Sequence, residues 1–444
     1  MLQINNENIF KYFNITYLAL FLIIIWDPLR TYILPEKGSG YIVLLFVLLS
    51  LTKEIFNKSI LRNAIKAPYI FWLIWIIYAL VNTFYINSYM AELAPATFTF
   101  SMFLPLFVLL VIANERYDIL ELTNLFIWAF FFRIMLSLIF DSFDVVRDIV
   151  ARFGEAFNAN NIAFGALFLI VCIGFKKYLT KKINIINYIQ IVLALYTIVL
   201  TASRKVAIAL AIMIIGLIYV ERSSEMIKRY VKYMIFALIA SFGFIYTLNY
   251  TALGQRLIDV YYRTLYASQL ETMFDNRLGQ YLLGIDLFKM QPINGIGLMN
   301  FMYGGNYPVV AHSEYIVQFA ECGLIGVFIW LLFYGTIIRR LFETRTISIA
   351  HQKISEYFLF FILAMFFLMT GAWVYNMAMY WVVLGLLIKF TEESRYFFSE
   401  TPRGKPQRIF NNKEGDCIPL TPAPHSSPPL MAGYSAGKFH KPGL

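Results

Sequence analysis

Pro68-Tyr-Ile-Phe-Trp-Leu-Ile-Trp-Ile-Ile-Tyr-Ala-Leu-Val-Asn-Thr-Phe-Tyr-Ile86 is nineteen residues without one charged side chain. An α-helix of that length covers about 28 Å at its usual rise, close to the ~30 Å of hydrocarbon in a bilayer. Lipid offers the backbone no hydrogen bonds, so such a stretch satisfies itself as a helix. The same pattern recurs along the chain. Apolar residues make up 59% of it and charged residues 14%, against about 25% charged in soluble domains. The mean hydropathy is +0.64. A transmembrane β-barrel would instead show short alternating segments. The expected fold class is therefore an all-α integral membrane protein.

About twelve transmembrane helices are predicted, near residues 13–34, 41–52, 68–86, 95–113, 119–140, 161–175, 185–201, 205–220, 233–248, 314–337, 355–373 and 376–391. Nine of them fill an N-terminal part, 1–248. A long outer loop, 249–311, follows, then three more helices in 312–395 and a Pro-rich tail, 396–444, that reads as disordered. Within the loop, Leu257, Val260, Tyr261, Leu265 and Tyr266 suggest an amphipathic surface helix, and Tyr281 to Lys289 a second helical stretch. Met1 to Phe10 is polar and lacks a basic lead into the first apolar run, so no cleavable signal peptide is expected.

Loop charge orients the chain. With the N-terminus inside, the even-numbered loops hold seventeen Lys and Arg, among them Lys53, Arg116, Lys177, Lys182, Arg222, Arg345 and Lys353. The short outer loops hold six: Arg30, Lys37, Arg147, Arg152, Arg204 and Lys205. Cytoplasmic loops carry the Lys/Arg excess, so both termini are expected inside. This accounts for the net charge of +10 without nucleic acid. Cys172, Cys322 and Cys417 have no metal-ligand spacing, and neither a zinc site nor a disulfide frame is expected.

Polar residues on the sparsely charged outer face are the candidates for chemistry. Arg204 lies in the short loop Thr201-Ala-Ser-Arg-Lys205. It either snorkels at a helix end or binds an anion, for which its rigid five-donor fork suits phosphate oxygens. Arg277 precedes a helical stretch that ends in the turn-forming run Pro292-Ile-Asn-Gly-Ile-Gly297. Arg147 and Arg152 have Asp144, Asp148 and Glu155 near them and read equally well as paired surface charges. His312 is the one histidine expected outside, just before the tenth helix. A helix N-terminus disfavours imidazolium, so a side chain that starts near about pKa 6.5 is kept neutral and able to accept a proton. The alternative is a histidine that only caps the helix. Glu314 could orient His312 or a sugar hydroxyl, and Glu321 lies about 10 Å further down the helix. Gly323 and Gly326 suggest close helix packing. Together a neutral histidine and several arginines fit attack by a hydroxyl on a carbon bearing a pyrophosphate leaving group, with no cofactor and no metal ligand set.

Ala311-His-Ser-Glu-Tyr-Ile-Val-Gln-Phe-Ala-Glu-Cys-Gly-Leu-Ile-Gly326 resembles the histidine motif of the bacterial O-antigen ligase and O-antigen polymerase superfamily. Arg277 to Gly297 is similar to the stretch that precedes that motif, and Thr201-Ala-Ser-Arg204 to the family's short outer-loop arginine. Arg152-Phe-Gly-Glu-Ala-Phe-Asn-Ala-Asn-Asn161 is similar to its Gly/Asn-rich loop. The resemblance covers about residues 150–340. It implies a GT-C-like membrane glycosyltransferase of the bacterial inner membrane whose site faces the periplasm. The donor would be a glycan on undecaprenyl pyrophosphate, and the acceptor a sugar of a lipid-linked repeat unit or of lipid A-core. Carried over by position, His312 would be the general base, and Arg204, Arg277 and Arg152 would hold the pyrophosphate. Ligases often carry His-Asn where this chain has His312-Ser313, which leans the reading towards a polymerase and keeps a ligase as the alternative. A flippase for lipid-linked glycans is the competing class. It would place charge near the bilayer midplane, where Glu121, Arg133 and Glu321 are the nearest candidates.

Overall fold

The computed structural model describes residues 14–33, 39–55, 66, 68–85, 104–112, 117–141, 159–201, 203–222, 277–298, 300–301, 312–372 and 377–399. The expected ninth span, the Leu257–Tyr266 helix, Arg147, Arg152 and the tail beyond residue 399 lie outside the described residues. Met1–Ser394 forms one compact unit and Arg395–Leu444 another.

Among the described residues the secondary structure is helical, with no strand. The helices are α1 (Ile15–Tyr32), α2 (Ser39–Ile55), α3 (Tyr69–Tyr85), α4 (Leu104–Ile112), α5 (Ile119–Asp141) and α6 (Ala159–Thr180). They continue with α7 (Ile185–Leu200), α8 (Arg204–Val220), α9 (Arg277–Met290), α10 (Glu314–Arg345), α11 (Ile349–Met369) and α12 (Ala378–Ser399). Four stretches, Ile119–Phe140, Asn160–Thr180, Glu314–Arg345 and Ile349–Met369, are long and apolar enough to cross a membrane. Ile15–Trp26, Ile42–Lys53, Tyr69–Thr83 and Ile185–Leu200 are shorter apolar helices. The all-helical expectation holds, and these helices suit a protein that crosses the bilayer several times.

Ion pairs gather one set of helix ends. At 2.6 Å Lys177 of α6 meets Glu221 beyond α8, which Lys353 of α11 also approaches. Glu356 takes Arg222 at 3.3 Å and Arg345 at 2.9 Å. Arg340 pairs with Glu392 of α12. Tyr69 at the start of α3 and Asp118 before α5 lie within electrostatic reach of Glu393. On α1, Tyr17 donates to Glu121 at 2.9 Å, and Lys53 of α2 reaches Asn14 at 2.6 Å. This basic end therefore holds the described parts of the even-numbered loops. The remaining helix ends point the other way.

Pro28 interrupts α1 and has no amide for the carbonyl of Ile24 one turn earlier. Arg133 of α5, 1% exposed, supplies the missing donor: its Nη1 reaches the Ile24 oxygen at 2.6 Å. Gly165 of α6 makes room, because a Cβ there would stand 3.0 Å from Arg133 Cδ. One buried guanidinium thus joins three helices.

Candidate functional site

The site is built at the ends opposite the basic cluster, beginning with the short loop before α8. Ser203 is extended at the N-cap position, yet its hydroxyl makes no cap bond. It donates instead to Asn160 Oδ1 at 3.0 Å. That bond brings the Thr201–Arg204 motif against Asn160, at the described end of the Gly/Asn-rich motif. Arg204 is the first residue of α8 and half-buried. The Lys205 chain lies across Gly371, where an added Cβ would meet Lys205 Cε at 2.6 Å. The start of α8 therefore rests on the end of α11.

Arg277 opens α9. One turn on, Tyr281 Oη donates to the Thr370 carbonyl at 3.1 Å, so α9 also ties to the end of α11. Along α10, α9 approaches closely: a Cβ at Gly284 would stand 2.2 Å from Ile316 Cγ2. The Pro292–Gly297 run then forms the expected turn; Pro292, Ile293 and Asn294 are exposed, while Gly295 and Gly297 are buried against the bundle.

That turn docks on a break in α10. Gly323 has φ 61 and ψ −168, so the expected single tenth helix is two helices joined at a sharp kink. Tyr315 and Trp330 make ring contact at 5.9 Å across it. In a straight helix those fifteen residues would span about 22 Å. The halves therefore fold towards each other. The broken backbone is satisfied by the turn: Ile296 N donates to Ala320 O and Gly297 N to Glu321 O, both at 2.9 Å. In return Leu324 N donates to Pro292 O at 2.9 Å and Ile325 N to Ile293 O at 3.2 Å. Non-helical backbone is tolerated at membrane depth only when its polar groups are met in this way. Gly323 and Gly295, both with positive φ, touch through backbone: a Cβ on Gly323 would be 2.4 Å from Gly295 N. Gly326, by contrast, packs near the Tyr78 ring, as helix packing predicts. From α3, Tyr78 donates to Asn294 O and Cys322 O, both at 2.9 Å, and Asn82 donates to Asn294 O at 2.6 Å. Thr83 accepts from Leu298 N at 3.0 Å.

Glu321 is 1% exposed and accepts the Phe301 amide at 3.2 Å, which fixes the chain leaving the turn. Eleven residues later comes His312, exposed, directly before the N-cap Ser313 of α10. Its ring thus stands at a helix N-terminus, where the backbone dipoles favour negative charge. Glu314 is fully buried and accepts from Gln318 Nε2 at 3.2 Å; it also lies within electrostatic reach of Tyr334 and Tyr380. Tyr315, next to it, donates to the Phe366 carbonyl of α11 at 2.9 Å.

The last turn of α11 is accordingly a common support. It holds α8 through Lys205, α9 through Tyr281 and α10 through Tyr315, the three elements that begin with or directly follow Arg204, Arg277 and His312. Such an arrangement can bind an anion between cations and helix N-termini and offer an imidazole beside it. No group of three His, Cys, Asp or Glu side chains suited to a metal ion occurs among the described residues. Sequence reading missed the supports: Tyr281, Tyr315, Lys205, and Tyr78, Asn82 and Thr83 of α3. Asn82 and Thr83 were the available signal, two polar residues in a helix otherwise apolar.

Residues 189–331 match the Wzy_C family model, described as O-antigen ligase. The match runs from α7 into the second half of α10 and so includes Arg204, Arg277, the Gly295–Gly323 contact and His312. It covers about a third of the 444-residue chain. No curated protein matches the chain.

Proposed function

The O-antigen ligase match over residues 189–331 supports the O-antigen ligase and polymerase superfamily, and from that premise we propose that this protein is a membrane glycosyltransferase using a glycan on undecaprenyl pyrophosphate. The observation that carries the reading is the shared support at the end of α11, which collects the segments bearing Arg204, Arg277 and His312 at the end away from the basic loops. By the charge rule the basic end is cytoplasmic, so the site faces the periplasm of a bacterial inner membrane.

His312 removes the proton from an acceptor sugar hydroxyl. The freed oxygen bonds to the anomeric carbon of the donor glycan, and the bond from that carbon to the pyrophosphate breaks. The electron pair leaves with the pyrophosphate, whose growing charge Arg204 and Arg277 neutralise, with Arg152 a further candidate. Glu314, which accepts from Gln318 at the start of α10, is a further candidate to orient His312 or an acceptor hydroxyl. The acceptor of a polymerase is a new lipid-linked repeat unit, whereas a ligase uses lipid A-core. His312-Ser313 favours the polymerase. Against a transporter, Glu121 lies in the first turn of α5, where it takes the Tyr17 hydroxyl, and the mid-helix Arg133 and Glu321 have structural partners in the Ile24 carbonyl and the Phe301 amide.

Purified protein is expected to consume the lipid-linked donor, with turnover continuing in chelator because arginine supplies the cationic charge. His312→Ala is expected to lose at least ~100-fold, the lower range for a general base. Undiminished turnover in that variant would remove the base assignment. Lipopolysaccharide from a deletion strain separates the activities: a single repeat unit on the core indicates a lost polymerase, and none a lost ligase.

A further inference from the structure

We propose that Tyr315 is a positioning residue for His312, acting through its hydrogen bond to the Phe366 carbonyl at the end of α11; its effect on turnover rests on the glycosyltransferase reading above.

The bond answers a local need. The last turn of α11 tightens, and Thr370 N donates to Phe367 O at 3.1 Å rather than to Phe366 O one residue earlier. A helix-end carbonyl released in this way needs another donor. The Tyr315 hydroxyl provides it at 2.9 Å in a partly buried setting. The same residue is fixed by its ring, which stands edge-on to Trp330 at 88°.

Geometry transmits this to the histidine. Tyr315 is the second residue of α10 and three residues from His312, and the intervening Ser313, the extended N-cap, and Glu314 are buried. The first half of α10 is short. It is detached from the second half at Gly323, so its direction is not inherited from the long helix. At its far end the Pro292–Gly297 turn holds it, and at the near end Tyr315 does. Without the hydroxyl, the near end keeps ring packing but loses a directional bond to α11. Catalytic geometry is sensitive on this scale, since a displacement near 1 Å costs about 100-fold.

The test uses the full chain and compares Tyr315→Phe with Tyr357→Phe and His312→Ala. Tyr357 donates to the Val171 carbonyl at 3.0 Å, a buried bond of the same type between α11 and α6. Tyr315→Phe is expected to lower kcat on the order of tenfold, short of that full displacement, with KM for the lipid-linked donor unchanged. Tyr357→Phe is expected to lower thermal stability with kcat retained. Diethyl pyrocarbonate modification of His312, read by peptide mass spectrometry, follows the ring without relying on turnover. Its rate should change in Tyr315→Phe and stay at the wild-type value in Tyr357→Phe. Wild-type kcat and an unaltered modification rate in Tyr315→Phe would overturn the positioning role while leaving the base assignment intact. Full turnover in His312→Ala would instead remove the base assignment, and no turnover in the wild type would remove the glycosyltransferase reading; in either case the modification rates would still decide whether Tyr315 sets the histidine's place.

Discussion

Replacing Gly323 with alanine tests whether the kink in α10 is a built feature. Gly323 has φ 61 and ψ −168, a region open essentially to glycine alone, and forcing another residue there costs about 1–3 kcal/mol. The new Cβ would stand 2.4 Å from both Gly295 N and Ile293 O, and 2.6 Å from Ile293 C. All three are backbone atoms, so no side-chain rotation relieves the contact. The turn must move. Four backbone bonds join it to the kink, each contributing about 1 kcal/mol net. Loss of two of them together with the strain comes to about 3–5 kcal/mol, a large part of the ~5–15 kcal/mol that holds a folded protein together. Gly335, on the same helix, has nothing within 4 Å of an added Cβ. Gly335→Ala should therefore stabilise by up to about 1 kcal/mol through helix propensity. Both variants can be unfolded by SDS titration from mixed micelles beside the wild type. If Gly323→Ala lies within about 1 kcal/mol of the wild type, or matches Gly335→Ala, the interlock does not carry the energy assigned to it.

Two further outcomes concern the scaffold. Arg133→Met should destabilise by about 1–3 kcal/mol, the cost of leaving the buried Ile24 carbonyl without its donor; adding Pro28→Ala restores an amide at that place and should recover most of the loss, whereas additive effects in the double-mutant cycle would refute the substitution of guanidinium for amide. At the basic end, burial would raise the Glu221 carboxyl, but the hydrogen bond and charge of Lys177, with Lys353 nearby, hold it below the ordinary carboxylate value. A carboxyl lowered by folding stabilises fully above its unfolded pKa and loses that contribution as pH falls through the folded one. Melting temperature should thus drop more on acidification in the wild type than in Glu221→Gln, and equal drops would argue against the pairing.

Much of the helical order was legible because length and charge act locally. An uncharged run such as residues 68–86 has one stable conformation in lipid, and α3 forms within it. The alternation of basic loops was legible for a similar reason, and Lys177, Glu221, Arg345 and Glu356 meet at one end. The candidate residues were visible as chemical types: Arg204 opens a helix at the opposite end, and His312 precedes one. The support beneath them was not visible. A hydroxyl at Tyr315 carries no mark in sequence that its acceptor is the carbonyl of Phe366, fifty-one residues away.

The kink shows most clearly why sequence reading stops where it does. Residues 314–337 read as one mostly apolar helix, and a glycine inside such a pattern normally costs a helix about 1 kcal/mol without breaking it. What breaks this one is not local. The Pro292–Gly297 turn offers two amides and two carbonyls in the register that a helix opened at Gly323 needs, and Gly295 brings its backbone close enough to deliver them. Each half is unfavourable alone: a helix opened without partners strands polar groups in lipid, and so does an irregular turn at that depth. Their joint stability is a property of two segments some thirty residues apart, with Tyr78 and Asn82 of a third helix completing it. The same break frees the first half of α10 to bend towards α11, where the Tyr315 hydroxyl meets the Phe366 carbonyl. On this reasoning the positive-φ glycines matter to the proposed site as much as the histidine does, because without them α10 would run straight and Tyr315 could not reach Phe366.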